Sequence, residues 1–158
     1  MQPEQRLACF TLFNEIGIIN QLTRVLFEAS LPAGIQISHF AVINNLVRVG
    51  EGTTPLKLAR AFQVAKTTMT HTLSGLEKRG YISVQPNPRD GRSKCVFLTE
   101  AGLEFRNKAI AALDPDLSAF AEVFPVDLIT ETTEVLTRIR KYLDTSRDYA
   151  TTQKDRSA

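Results

Sequence analysis

Apolar residues recur at spacings of three and four along most of this chain, and one stretch near its middle departs from that rhythm. Residues 5–29 place Leu12, Ile16, Ile19, Leu22 and Leu26 at helical spacing, with Leu7, Phe10, Phe13, Ile18, Val25 and Phe27 around them. The stripe is wider than one face, and a helix apolar on most sides must be covered on most sides. In a chain this small, a second subunit is the expected cover. Leu31-Pro32-Ala33-Gly34 breaks the pattern. Ser38 then offers a cap for a helix over His39–Val49, with Phe40, Ile43, Leu46 and Val47 inward.

Thr54 followed by Pro55 starts a short helix that runs to Phe62 and buries Leu56, Leu58, Ala59 and Phe62. After Gln63-Val64-Ala65 a longer helix is predicted over Lys66–Arg79, ended by Gly80. Met69, Leu73 and Leu76 form its apolar side, while Lys66, Thr67, Thr70, His71, Ser74 and Lys78 gather opposite. Gly75 within it costs about 1 kcal/mol relative to Ala, which a close approach by another element would explain. Two helices joined by a tight turn make a helix-turn-helix.

The departure follows at once. Tyr81–Val84 and Cys95–Leu98 are strand-like, and Pro86-Asn87-Pro88-Arg89-Asp90-Gly91 between them is turn-rich. That reads as a β-hairpin with a basic tip. A helix-turn-helix followed by such a hairpin is a winged helix-turn-helix, whose usual partner is double-stranded DNA. Helical spacing then resumes. Thr99 caps the next helix, Pro115 should break it near Ala112–Asp114, and Val126–Leu143 forms a last amphipathic helix. Residues 144–158 are polar and read as a frayed tail.

Charge sharpens this picture. Residues 57–94 hold eight basic side chains against Glu77 and Asp90, a local charge of +6, while the whole chain carries only +2. A concentrated positive surface is the footprint of a protein that meets a polyanion. Lys66, Lys78, Arg89, Arg92 and Lys94 are candidate phosphate contacts; Arg92 also reads as half of a surface ion pair, and Arg89 and Lys94 as solvated charges. Thr67, Thr68, Thr70, His71 and Ser74 can reach base edges or phosphates; Thr67 also reads as a capping hydroxyl. Asp90 is acceptor-only, so its expected part, with Gly91, is to shape the wing by pairing with an arginine or capping backbone amides.

Composition narrows the class. With 158 residues, 43% apolar and 23% charged, the chain suits one ordinary core. No apolar run approaches the ~20 residues of a membrane helix, and the start lacks a signal-peptide pattern, so a cytoplasmic location is expected. Cys9 and Cys95 form no C-x-x-C pair and are expected as two buried or half-buried thiols. With two histidines, no nucleotide-binding glycine loop and no nucleophile elbow, nothing suggests an enzyme, a metal or a cofactor.

The order of elements resembles the MarR family of transcriptional regulators over nearly the whole chain. The wing carries that family's D-x-R-x5-L-T-x-x-G pattern as Asp90, Arg92, Leu98, Thr99 and Gly102, and Leu58-Ala59 … Leu73 … Leu76-Glu77-Lys78-Arg79-Gly80-Tyr81-Ile82 matches its L-A … L-E-K-x-G segment. The resemblance implies a mainly α (α+β) fold: dimerisation helices over 1–30 and 103–146, a winged helix-turn-helix over 36–100, and a flexible tail over 147–158. It implies a homodimer whose 66–79 helix enters the major groove while Arg92 approaches the minor groove. A two-fold dimer calls for a pseudo-palindromic operator with half-sites ~34–36 Å apart.

Many relatives respond to a small aromatic or phenolic effector, a subset to oxidants, and repression is the family's usual output. A ligand acts through differential affinity for two wing spacings. Its expected place is the junction of the dimer helices with the winged region, where Phe13, Asn14, His39, Asn44 and Arg48 are candidates, each readable also as an ordinary core or surface residue. Ala65 departs from the Ser or Thr cap frequent before the recognition helix, His71 stands where Arg is frequent, and Pro115 interrupts a helix many relatives keep long. Two other readings remain: a thiol-based redox sensor using Cys9, whose apolar neighbours Phe10 and Phe13 would raise its pKa, and a sequence-nonspecific architectural DNA-binding protein.

Overall fold

The computed structural model describes residues 1–50, 52–88 and 90–156, with side chains as far as residue 145. Along the chain run α1 (Pro3–Ser30), α2 (Ile37–Val49), α3 (Pro55–Ala61), α4 (Lys66–Lys78), β1 (Ile82–Asn87), β2 (Asp90–Leu98), α5 (Glu100–Ala111), α6 (Asp114–Val123) and α7 (Val126–Arg156). No helix among the described residues is long and apolar enough to cross a membrane. The chain divides into two units, residues 1–113 and 114–158.

The core of the first unit belongs to the helix-turn-helix and its wing. Phe40, Val42, Ile43 and Leu46 of α2 meet Leu58 and Ala59 of α3, Met69, Leu73 and Leu76 of α4, Ile82 and Val96 of the sheet, and Phe105 and Ala109 of α5. Two inward assignments are corrected. Val47 is 40% exposed and Val42 buried in its place, and Leu56 is 47% exposed. Both errors come from placing the centre of a short apolar stripe one position off.

α2 begins earlier than Ser38 suggested, and Ser38 is not its cap. Gln36 is the flanking residue, and His39 Nδ1 accepts the Gln36 backbone N–H at 3.0 Å. The α3–α4 turn is tight because Gln63 adopts a left-handed φ of 53°, letting the Val64 N–H reach the Ala59 carbonyl at 3.0 Å. α4 ends in a Schellman motif: with Gly80 at φ 72°, the Tyr81 N–H reaches the Leu76 carbonyl and the Gly80 N–H that of Glu77.

The wing strands are longer than the apolar runs suggested. They pair antiparallel from Ile82↔Leu98 to Pro86↔Lys94, with an irregularity before Asn87↔Asp90. An isolated single-residue bridge, Thr53↔Val96, joins the chain before α3 to β2 of the two-stranded sheet.

α1 contributes little to this core. Phe27 packs its ring 5.8 Å from that of Phe40, but none of the helix's residues is buried. Leu22 and Val25 are each 68% exposed. Cys9 is exposed and Cys95 buried, so the expectation of two interior thiols holds for Cys95 only.

The second unit holds α6 and α7. Pro115 falls in the first turn of α6, where its missing N–H costs nothing, and the break between α5 and α6 lies where the sequence placed it. Phe120 and Phe124 stack with ring centroids 4.6 Å apart. α7 continues to Arg156 rather than ending at Leu143. No Gly or Pro interrupts residues 144–156, and Arg140 pairs with Asp144 at 3.4 Å across the expected end. The side chains of the expected tail, 147–158, lie outside the described residues.

Candidate nucleic-acid interface

α4 presents its polar side to solvent because Met69, Thr72, Leu73 and Leu76 commit the other side to the core. Lys66, Thr67, Thr68, Thr70, His71 and Lys78 are exposed and Ser74 is half-buried. Ala65 flanks the helix start without a side-chain cap, as the sequence indicated. Thr67 therefore does not serve as the helix-capping residue.

A cleft of about 550 Å³ runs between this face and the wing. Lys66, Thr70 and Ser74 line its helical wall, Arg92, Ser93 and Lys94 its wing wall, and Thr54, Pro55 and Leu56 its end. The structure thus gathers five of the candidate DNA contacts around one concavity. His71 and Lys78 lie on α4 outside its lining, and Arg89 lies outside the described residues.

Among the described residues the ion pairs are Arg24–Glu28, Lys108–Glu104 and Arg140–Asp144. None uses a basic side chain of residues 57–94. Arg92 is therefore not half of a surface ion pair there. Positive charge left unpaired along a groove is available for phosphate, and its release of counterions would make binding steeply salt-dependent.

The wing tip is shaped by Asp90, whose Oδ1 accepts the Arg92 backbone N–H at 3.1 Å. Asn87 Nδ2 donates to Ser93 Oγ at 2.8 Å, and that hydroxyl donates to the Asp90 carbonyl at 3.2 Å. Gly91 is exposed at the turn, with no atom crowding its Cα. Asp90 thus holds the backbone of the residue whose guanidinium reaches outward.

Two residues outside the candidate set fix α4 to its surroundings. Glu77 Oε1 accepts the Val84 N–H at 3.1 Å, tying α4 to β1. Arg79 Nη2 donates to the Gly34 carbonyl at 2.9 Å, tying it to the α1–α2 connection. The signal that could have found Glu77 was its isolation, a lone acid on an otherwise basic helix. Thr99 and Gly102 have comparable roles. Thr99 Oγ1 accepts the Gly102 N–H at 3.0 Å and donates to the Gly80 carbonyl at 2.6 Å. A Cβ on Gly102 would overlap the Tyr81 carbonyl oxygen.

None of the five residues suggested for an effector pocket lines either of the two clefts found among the described residues. Phe13 and Asn14 lie exposed on α1, and Arg48 is exposed on α2. Asn44 Oδ1 accepts from Arg106 Nε at 2.7 Å. His39 faces α4 instead, where a Cβ on Gly75 would lie 2.8 Å from its Nε2. Burial foremost, then Arg79 and His71, hold the His39 imidazole below its ordinary pKa. A separate cleft of about 430 Å³ lies beside α5, lined by Ser30, Pro32, Tyr81, Phe105, Lys108 and neighbouring residues. Its aromatic floor is Tyr81 stacked on Phe105 with ring centroids 4.6 Å apart. Among the described residues, no group of acidic, His and Cys side chains could hold a metal ion.

Residues 33–93 match the family model described as MarR family. A relative named transcriptional activatory protein BadR, from Rhodopseudomonas palustris, is 28% identical over 144 residues, covering 89% of this chain and 81% of its own. Solved structures share the fold. A mutant MarR from E. coli complexed with operator DNA is 23% identical at a TM-score of 0.63, over 84% of this chain and 95% of that one. CouR from Rhodococcus jostii RHA1, bound to p-coumaroyl-CoA, is 21% identical at a TM-score of 0.63, over 78% of this chain and 87% of that one.

Proposed function

We propose that the chain, whose residues 33–93 match the MarR family model, is a winged-helix transcriptional regulator of that family that binds a pseudo-palindromic operator as a homodimer and represses transcription from it. The observation that carries this reading is the cleft in which unpaired Lys66, Arg92 and Lys94 face one another from α4 and the wing. Thr67, Thr68, Thr70, His71 and Ser74 meet base edges or backbone in the major groove. Lys66, Lys78, Arg89 and Lys94 neutralise phosphates, and Arg92 reaches the minor groove from a tip held by Asp90. Proteins of this family are non-enzymatic, and the chemistry of the cleft is that of binding.

The exposed apolar stripe of α1 supports the dimer. Leu7, Phe10, Ile19, Leu22 and Val25 are each more than half exposed, an apolar surface that a monomer would leave in water. A two-fold pair of α4 helices then meets half-sites ~34–36 Å apart. A dimer seated across a promoter excludes polymerase, hence repression. The same contact placed upstream would give the activation for which the Rhodopseudomonas relative is named.

A small aromatic or phenolic acid is the proposed effector. Support for that comes from the cleft beside α5, whose volume and stacked aromatic floor suit one ring. CouR, with the same fold, binds the coenzyme A thioester of a phenolic acid.

Selection of bound duplexes from a random pool tests the reading, repeated with Arg92→Ala and His71→Ala. An enriched two-fold motif is expected, with Arg92→Ala weakening binding at all sites and His71→Ala relaxing preference at one position of each half-site. A pool that stays random would refute it. Thermal shift across a panel of aromatic acids tests the effector, and no change in melting or DNA binding with any compound would remove it.

A further inference from the structure

Midway along α4 stands a glycine whose open side is already occupied. A Cβ on Gly75 would lie 2.8 Å from His39 Nε2 and 3.6 Å from its Cδ2. Its φ is not in the left-handed region, so backbone freedom does not call for glycine here. The imidazole does.

His39 lies half-buried in the first turn of α2, with Nδ1 accepting the Gln36 backbone N–H at 3.0 Å. A backbone amide can only donate, so Nδ1 is unprotonated and the ring's single proton sits on Nε2, the atom against Gly75. The neutral ring is therefore the state that satisfies the Gln36 amide. A second proton would set donor against donor at the Gln36 N–H. The groups facing the ring add to that cost. Arg79 and His71 approach from α4, Gln36 and Ser38 of its own segment are uncharged, and the N-terminal end of α2 carries partial positive charge. A second proton is therefore disfavoured in this seat.

We propose that His39, seated on Gly75 as the neutral imidazole, is the positioning residue of the recognition helix, and that proton uptake by this ring unseats α4 and weakens operator binding. The proposal rests on the reading of α4 as the DNA reader. It differs from a direct contact, because His39 acts through α4 and touches no DNA.

Only two histidines exist in the chain, so the titration can be assigned by substitution. Operator affinity is measured by fluorescence anisotropy from pH 7.5 to 5.5 for His71→Ala and for the double variant His39→Asn/His71→Ala. Asn presents Oδ1 where histidine has Nδ1, so it still accepts the Gln36 N–H but takes no proton. His71→Ala should lose affinity on acidification, by up to about tenfold per pH unit for each His39 ring of the dimer that titrates. The double variant should stay level within about twofold. Equal slopes in the two proteins would overturn the proposal.

A second arm is independent of pH. Gly75→Ala should weaken operator binding about tenfold at pH 7.5, and adding His39→Asn should restore most of it, because the shorter side chain leaves room for the new methyl. Gly75→Ala binding like wild type would overturn the seating. If it fails to fold, the pH series decides alone. Arg92→Ala separates the two readings. It should weaken binding at every pH without changing the slope, whereas full binding by Arg92→Ala would count against α4 and the wing as the DNA surface and remove the proposal with it.

Discussion

Thr99 is the residue through which the wing, the recognition helix and α5 hold one another. Its hydroxyl accepts the Gly102 N–H at 3.0 Å, capping α5, and donates to the Gly80 carbonyl at 2.6 Å, where α4 ends. Thr99→Val keeps the shape and removes both bonds. Loss of the cap costs about 1 kcal/mol. Loss of the second bond adds about 0.5–1 kcal/mol, at the low end because Gly80 is exposed and water can replace the hydroxyl. The expected total is about 1.5–2 kcal/mol. For a chain of this size that lowers the melting temperature by about 5 °C, measured at fixed protein concentration because a dimer's stability depends on it. Urea titration should show a lower midpoint with an unchanged slope. Thr99→Ser keeps both bonds and should recover most of the loss. A valine variant within about 0.3 kcal/mol of wild type, or a serine variant as weak as valine, would refute the argument.

Other expectations follow from single contacts. Gly102→Ala forces a methyl against the Tyr81 carbonyl oxygen and within 2.8 Å of Leu98 Cδ1, so it should lose about 1–3 kcal/mol in urea despite alanine's better helix propensity. Leu22→Glu combined with Val25→Glu places two charges on the exposed stripe of α1, and sedimentation should find a monomer that is still folded. His39 has a lowered folded-state pKa. The unfolded chain therefore binds the proton more readily, and stability present above about pH 6.5 is lost as pH falls through the window down to the folded value. Urea titrations between pH 7.5 and 5.5 should show that loss in wild type and less of it in His39→Asn.

The parts of the fold written as local periodicity were legible in the chain itself. Met69, Leu73 and Leu76 fixed which side of α4 faces the core, and that settled which side carries Lys66, Thr70 and Ser74. The spacing from Asp90 to Gly102 encoded a turn, a strand, a cap and a close approach in one line. What escaped depends on contacts between elements. Thr53 makes an isolated bridge to Val96, too short for alternation to announce it. Glu77 and Arg79 looked like ordinary surface charges, because the Val84 amide and the Gly34 carbonyl they hold are backbone atoms with no residue signature. Gly75 inside a helix is explained by a close approach, but the sequence does not say by what, since only the crossing of α2 over α4 brings His39 to it. The end of α7 was missed because polarity was read as fraying in a segment with no helix breaker.

The central claim, that α4 and the wing form a sequence-reading DNA surface, is tested most directly by the affinity of the full-length protein for its selected operator against a random duplex of equal length. At physiological salt the operator should bind about 10³-fold or more tightly, and Arg92→Ala should weaken both duplexes. Equal affinity for the two duplexes, or an Arg92→Ala protein that binds as wild type does, would contradict the account.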